Sequence, residues 1–496
     1  MTQLSKSKAT HIVPVGCDDA NDRAGASGPI ANLGKSKQYR FQLRCAAAEA
    51  VRLLMTRILE SGLLRVMGTA SKAQPHEVKA ALAAFCCNFV LLASYYILRP
   101  LRDTMATVFG VAQLQDLFTG TFILTLLLAP VFAWCAANMK LSRFLPGVFW
   151  LLLGNLLLFY GLFRQMPESR WVAAAYYCWF SVINLFLISV FWTLMADTFS
   201  SGQATRLFAF IAAGGSTGAI LGPLITATFV RVIGASGLVL VACGGFLFVI
   251  VLIHVLMREK TILRSLDRDT QQTTLDHSLP GNPLRGFALL FRSRYLMGQA
   301  IFFILMTWIA TILYFLQADF VAKRFSGVES RAIAFADVDL FVNACAAAFL
   351  IFGLGRFLQR FGVTASLALS PILMLFACVA LAFSPTFFVV QSARALQRIS
   401  QYGIARPSRE VLFTVVDQQS RYKAKNVIDT SVYRFGDLTA AWLQAGLRSI
   451  GMGFFAIIGF GIAVSAAWGI TAFIIGRRYE AIVNSQSDGL AVAPAE

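Results

Sequence analysis

Several charged side chains lie inside a segment that is otherwise apolar enough to cross a membrane. Within residues 385–415 they are Arg394, Arg398, Arg406, Arg409 and Glu410. On insertion scales a charge at the membrane centre costs about 2.5–3.5 kcal/mol unless it faces water or a partner. Since Arg394, Arg398 and Arg409 fall on one face of a helix, we expect that face to line a cavity. Pro407 is expected to distort the helix near one end.

The first apolar segment, residues 78–106, also carries basic groups on one face. Its narrow polar arc consists of Asn88, Tyr95, Arg99 and Arg102. Asp103 lies beside this arc, and Pro100 is expected to kink the helix between the two arginines. The segment therefore offers two guanidinium groups and an aromatic ring on a single face.

Two interpretations fit these charges. The arginines can form ion pairs with acids on neighbouring helices, among them Asp429 and Asp437, which share one face of residues 426–447. They can also bind an anionic ligand. Because the basic groups outnumber the acids, some positive charge is left over and is expected to attract an anion. A guanidinium group binds phosphate through two parallel hydrogen bonds, so a phosphate compound is the best chemical match.

The composition places the whole chain in a bilayer. Of its 496 residues, 57% are hydrophobic and only 14% are charged, which excludes a soluble enzyme, a secreted disulfide scaffold and a disordered protein. The net charge of +18 does not require a nucleic-acid partner, because basic loops orient membrane helices and attract anionic lipids. The nine cysteines form no CxxC motif, and we expect small buried apolar side chains with no metal site.

Hydrophobic segments long enough to span the bilayer occur twelve times, in two groups of six. The predicted fold is an all-α membrane protein with a 6+6 major-facilitator-like arrangement. An internal echo supports the two halves, because Gly215 in the fifth span corresponds to Gly436 in the eleventh. Gly214, Gly218 and Gly222 are spaced four residues apart in the fifth span, which predicts close helix packing.

The predicted organisation has five parts. They are a tail at 1–75, disordered and then amphipathic, six-helix bundles at 76–257 and 296–476, a central loop at 258–295 and a C-terminal tail at 477–496. More Lys and Arg fall on the tail's side of the spans, so both termini are predicted to be cytoplasmic and the protein to lie in the inner cell membrane.

Three stretches of the sequence resemble the ATP/ADP translocases of the nucleotide exchange type. They are SYYILRPLRD in span one, LMADTF at the end of span four, and ARPSREVLFTVVDQQSRYKAKNVIDTSVYRFGD across spans ten and eleven. The resemblance runs from about His76 to Leu447. It implies nucleotide exchange, with Arg102, Asp197 and Arg409 at positions that matter for exchange in that family.

At those three positions the chain keeps the family's charge sign but changes the residue type. The family also has an acid near the start of span eight. In this chain Glu329 is close to that position, but Arg331 occupies the best register. We therefore expect Asp197 to take part in gating and the arginines to hold phosphate, with no assigned partner in span eight.

The predicted function is transport, with no bond made or broken and no cofactor: exchange of ATP, ADP or related phosphate anions across the membrane. The residues predicted to bind substrate are Arg99, Arg102, Arg394, Arg398, Arg409 and Tyr95, whose ring is available to stack on a base. Those predicted to act in gating or ion pairing are Asp103, Asp197, Glu410, Asp429 and Asp437. Two alternatives are a proton-coupled carrier of another organic anion and a non-transporting membrane scaffold.

Overall fold

The computed structural model describes residues 74, 76–266, 284–416, 424–425 and 427–491. Thirteen α-helices account for nearly all of this part of the chain. They are α1 (Val78–Phe109), α2 (Leu114–Asn138), α3 (Leu141–Gln165), α4 (Arg170–Thr198), α5 (Ser201–Leu266), α6 (Leu284–Arg292), α7 (Arg294–Arg324), α8 (Val328–Phe352), α9 (Leu354–Phe383), α10 (Phe387–Ser400), α11 (Arg406–Leu412), α12 (Tyr433–Ser449) and α13 (Phe454–Ala491). The predicted amphipathic helix in the N-terminal tail lies outside the described residues.

Nine helices of the described chain are long and apolar enough to cross a membrane. The longest, α5, breaks at Gly234, whose φ of 70° belongs to the left-handed region that glycine adopts without strain. The break falls at the start of the predicted sixth span, just after the fifth, so α5 contains two of the predicted spans. Helices α10, α11 and α12 have 14, 7 and 17 residues and are each too short to be counted among the nine. This arrangement is compatible with twelve spans in an all-α, multi-pass membrane protein.

The glycines of α5 let it approach α1 closely, as the sequence predicts. A Cβ atom placed on Gly214 would lie 2.5 Å from the carbonyl oxygen of Phe85, and one on Gly222 would lie 2.6 Å from that of Ala93. These neighbours are backbone atoms and cannot rotate away. Small residues at this interface therefore hold α1, with its arginines, against α5.

The second half repeats this contact. Gly215 of α5 faces Asn88 on α1, and Gly436 of α12 faces Thr307 on α7. Gly215 and Gly436, which the sequence predicts to correspond, therefore pack in the same way: each allows the first helix of its own half to approach closely.

A wide turn separates α10 from α11. Residues Gln401–Ala405 form one π-helical turn, in which the Arg406 amide donates to the Gln401 carbonyl oxygen. Pro407 follows at the start of α11 and has no amide hydrogen to donate. The predicted distortion near Pro407 therefore takes the form of a π-turn, a feature that often occurs at functional sites.

Two segments differ from the predicted organisation. Helix α5 continues to Leu266, into the stretch predicted as a central loop, and α6 lies within that stretch as well. Helix α13 continues to Ala491, so most of the predicted C-terminal tail is helical.

Candidate functional site

A cavity of about 760 Å³ lies between the two groups of helices. Seven arginines from α1, α10, α11 and α12 line it: Arg99, Arg102, Arg394, Arg398, Arg406, Arg409 and Arg434. The glycine contact between α1 and α5 sets the position of the first two, and the π-turn sets the position of the arginines that follow it. The site is therefore built from both halves of the fold.

The deepest ion pairs in the cavity wall share one carboxylate. Asp339 of α8 is 2% exposed and accepts a hydrogen bond from Nη1 of Arg398. Nη1 of Arg99 lies 3.2 Å from the same carboxylate oxygen. The other oxygen of Asp339 has no hydrogen-bond partner. One negative charge thus serves two buried guanidinium groups on helices α1 and α10.

A second cluster joins α1 to α7. Arg102 donates to Asp103 through Nη2 at 2.5 Å and through Nε at 3.0 Å. The hydroxyl of Tyr314 donates to the same oxygen of Asp103 at 3.2 Å. The Arg102 guanidinium also lies over the ring of Tyr177, 5.3 Å from its centroid. Arg102 is therefore held in place by an acid and an aromatic face.

The third cluster lies at the mouth of the cavity. Arg409 donates to Asp429 at 2.5 Å and lies 3.5 Å from Glu410. Glu410 also accepts a hydrogen bond from Lys425. The side chain of Arg409 is only 4% exposed, whereas those of Glu410 and Asp429 are 46% and 34% exposed. The buried guanidinium is thus flanked by acids that reach solvent.

Two arginines of the described cavity wall have no carboxylate within 4 Å. Arg394 donates to the Ala310 carbonyl and to the side-chain oxygen of Gln397, and its guanidinium lies over the ring of Tyr314. Arg406 lies over the ring of Tyr402, 5.0 Å from its centroid. Neutral partners hold both charges without cancelling them.

Many guanidinium N–H groups at this site are buried and have no hydrogen-bond acceptor. They belong to Arg99 (Nη1), Arg394 (Nε), Arg398 (Nε and Nη2), Arg406 (Nε), Arg409 (Nε and Nη1) and Arg434 (Nε). Leaving a buried polar group without a partner costs about 1–3 kcal/mol, and more when the group is charged. Such a cost is tolerated where a ligand supplies the missing acceptors.

The charges around the cavity do not balance. Against its seven arginines stand five carboxylates, Asp103, Asp339, Glu410, Asp429 and Asp437, all in ion pairs with them. Two positive charges are left over, and Lys425 at the mouth adds another. A low-dielectric wall strengthens the field of such an excess, so the cavity attracts anions.

Aromatic rings line the same space. Tyr95 stacks on Phe180 with 5.1 Å between ring centroids, and Tyr96 lies against the guanidinium of Arg99. Tyr402 lies between the guanidinium groups of Arg398 and Arg406. These rings offer flat apolar surfaces beside the charges, the combination that a base carrying phosphates would need.

The structure places all six residues predicted to bind substrate in the wall of this cavity. Glu410, Asp429 and Asp437 also line it, and Asp103 lies beside it on Arg102. Asp197, on α4, does not line the cavity. It forms an ion pair with Lys260, near the C-terminal end of α5. Whether these residues act as predicted remains a prediction.

Asp339 and Tyr402 are among the side chains at this site that the sequence interpretation missed. Glu329, the nearest acid to the expected position in span eight, is exposed, and Asp339 lies almost three turns further along α8. An acid in an apolar helix was the available signal for Asp339, although Asp337, two residues earlier, gives the same signal. Tyr402 carried no such signal, because it is uncharged and only the π-turn brings it between two arginines.

Several contacts between the two halves lie at the end of the molecule where α1 ends. Arg331 of α8 donates to Thr107 of α1 at 3.2 Å, and Trp442 of α12 donates to Thr119 of α2 at 2.9 Å. Asp103 and Tyr314 join the halves on the same side. The exposed acids Glu410 and Asp429 lie at the end where α1 begins. The cavity is therefore closed towards the end of α1 and open towards its start.

Comparisons with known proteins give the fold. No protein-family model matches the sequence, and no curated protein matches it. Among solved structures, a variant of the peptide transporter POT matches with a TM-score of 0.58 and 12% identity, over 80% of this chain and 95% of that one. The nucleoside transporter NupG matches with a TM-score of 0.53 and 14% identity, over 83% and 99%.

A bacterial homologue of the iron transporter ferroportin, in an inward-facing state, matches with a TM-score of 0.54 and 13% identity, over 82% of this chain and 98% of that one. These neighbours are membrane transporters, and at such low identity the likeness concerns the fold alone. The resemblance to ATP/ADP translocases is not confirmed by them. The helices of this chain thus have the architecture of major facilitator transporters.

Proposed function

We propose that the protein exchanges nucleotides, or related organic phosphates, across a membrane by alternating access. The observation that carries this proposal is the excess of guanidinium groups around one cavity, several with buried N–H groups that have no acceptor. Phosphate groups supply multiple negative charges and several acceptor oxygens at once. A neutral solute such as a nucleoside would leave these groups unsatisfied.

The size and lining of the cavity support a nucleotide-sized substrate. Its volume of about 760 Å³ falls in the range of about 300–1,000 Å³ that is usual for small-molecule sites. Arginines gather on α10 and α11, and Tyr95 and Tyr96 face them from α1. We infer that the phosphates contact the arginines and that the base stacks on a tyrosine. The similarity of SYYILRPLRD to nucleotide exchangers supports the same assignment.

A cavity open at one end and closed at the other is what one state of alternating access requires. The two halves would rock about the arginines, opening the Arg331–Thr107 and Trp442–Thr119 contacts while the other end closes. With both termini in the cytoplasm of an inner membrane, as the basic loops predict, the structure corresponds to an inward-open state.

The direct test is exchange in proteoliposomes. Purified protein is reconstituted into vesicles loaded with ADP, and uptake of labelled ATP is followed. We expect uptake well above that of vesicles without protein and a strong dependence on internal ADP. Uptake equal to that of empty vesicles, for ATP, ADP and other nucleotides alike, would show that the nucleotide assignment is wrong.

One observation keeps a second candidate in view. Asp437 lines the cavity with loose contacts only, 3.9 Å from Arg434 and 3.5 Å from the Thr311 hydroxyl. A carboxylate placed in this way is suited to take up a proton in a carrier of another organic anion. Collapse of the proton gradient separates the two functions, since it would stop proton-coupled uptake and leave exchange unchanged.

A further inference from the structure

We propose that Asp339 is an internal substitute for the substrate's phosphate: it occupies Arg99 and Arg398 when no anion is bound and is displaced from them when one enters. This inference rests on the proposed function, because it assumes that the cavity binds a phosphate group. It assigns a role to a residue on α8 that does not itself line the cavity.

The first step of the argument is geometric. Arg99 comes from α1 and Arg398 from α10, and both direct a terminal nitrogen at the same oxygen of Asp339. Both arginines line the cavity, whereas the carboxylate lies behind them. Asp339 thus orients the guanidinium groups of two cavity arginines away from the cavity and towards itself.

The second step concerns what is left unsatisfied. Nε and Nη2 of Arg398 are buried without an acceptor, and so is the second oxygen of Asp339. If Asp339 only positioned Arg398 for substrate, the free nitrogens would point into the open cavity. Instead they are inaccessible, so Arg398 must turn away from Asp339 before it can meet a phosphate.

The third step is electrostatic. A single carboxylate shared by two buried arginines leaves one positive charge uncompensated. A phosphate carries more charge and more acceptor oxygens than a carboxylate, so it competes effectively for both guanidinium groups. Because Arg99 lies in the first half and Asp339 in the second, this exchange of partners also releases a link between the halves.

The test compares Asp339→Asn with the wild type in detergent solution, with ADP and inorganic pyrophosphate as probes. Loss of the carboxylate leaves two arginines unpaired, so the unliganded variant is expected to melt at a lower temperature. It is also expected to bind either probe about tenfold more tightly, as removal of a competing charge pair implies. The Tm increase caused by each probe should therefore exceed that of the wild type.

Two further variants complete the design. Asp339→Glu keeps the competing charge and is expected to bind both probes with wild-type affinity. Asp319→Asn removes an acid from an exposed pair with Lys323 and should change neither the Tm nor the affinity. If Asp339→Asn folds only when an anion is bound, we expect folded protein to be recovered when pyrophosphate is present during purification, and not in sulfate-free buffer without pyrophosphate.

The possible failures are distinguishable. Equal or weaker binding by Asp339→Asn, with normal binding by the wild type, would overturn the competition and leave the proposed function standing. Binding of pyrophosphate but not ADP, with the expected gain in the variant, would support the competition and reject the nucleotide. No response of any variant to either probe would overturn both proposals.

Discussion

At the level of single residues, a substitution of Arg394 tests substrate binding without a loss of stability. Its guanidinium is held by a backbone carbonyl, an amide side chain and an aromatic face, with no carboxylate within 4 Å. Removing its charge therefore strands no acid. Removing the charge of Arg398 would instead take a partner from the buried Asp339, and any loss of activity would be mixed with a loss of stability.

We expect Arg394→Gln to fold as well as the wild type and to exchange nucleotide poorly. A hydrogen bond to a charged group is worth about 1.5–3 kcal/mol, so the KM for ATP uptake into ADP-loaded vesicles should rise on the order of tenfold or more. Arg324→Gln, which removes the same charge from an exposed site at the end of α7, is the control. Wild-type kinetics in Arg394→Gln would remove Arg394 from the phosphate site.

The residues that sequence reasoning located were those with a periodic signal. Arg99 and Arg102 repeat along α1, and Arg394 and Arg398 along α10, so their common face followed from helical geometry. Asp339 has no periodic companion, and its pairing with α1 depends on how α8 packs against the other half. Tertiary contacts of that kind leave no trace in the spacing of one helix.

At the level of elements, the contact between α1 and α5 fixes the position of Arg99 and Arg102. Gly222 lies against the backbone of Ala93 and Tyr96, one turn before Arg99. Gly244, further along α5, has nothing within 4 Å of a Cβ position. These two glycines provide a matched pair on one helix, because the same added methyl group meets backbone at one and open space at the other.

Gly222→Ala is expected to destabilise the protein by about 1–3 kcal/mol through overpacking. Gly244→Ala should be neutral or slightly stabilising, since alanine favours the helix by about 1 kcal/mol over glycine. Thermal unfolding in detergent, followed by loss of the monodisperse peak in gel filtration, measures both. Equal melting temperatures for the two variants would show that α5 and α1 are not in close contact at Gly222.

The π-turn explains why Arg406 was missed as a binding residue. On a regular helix it falls outside the stripe of Arg394, Arg398 and Arg409. Five residues in the wide turn at Gln401–Ala405 delay the helical rotation, so the residues beyond it swing towards the cavity. Pro407 predicts a distortion of the helix, but a proline alone does not predict how far the residues that follow it are rotated about the helix axis.

At the level of the whole molecule, the cavity opens on the side of the membrane where α1 begins. In a variant without native cysteines, Glu410→Cys is expected to react with a membrane-impermeant maleimide from that side only, because its position is half exposed at the mouth. Added ADP should slow the reaction by filling the cavity. Vesicles of known orientation provide the measurement.

The control for this labelling is Asp319→Cys, near the far end of α7, which should react from the opposite side with no effect of ADP. Labelling of Glu410→Cys from the opposite side would reverse the direction in which the cavity opens. Labelling that ADP leaves unchanged would place the nucleotide elsewhere.

The polarity of α10 and α12 has a consequence for how the protein is made. With 14 and 17 residues, both are shorter than the roughly 20 residues that a span needs, and both carry charged side chains, so neither is expected to leave the insertion machinery for lipid alone. Asp339 on α8 is synthesised before Arg398 and has no Arg398 to pair with until α10 is inserted. The ion pair that then forms retains the charged helix α10 in the bilayer, whereas the other helices are retained by their hydrophobicity. Assembly of the second half should therefore be a single concerted event that begins only when the chain is nearly complete.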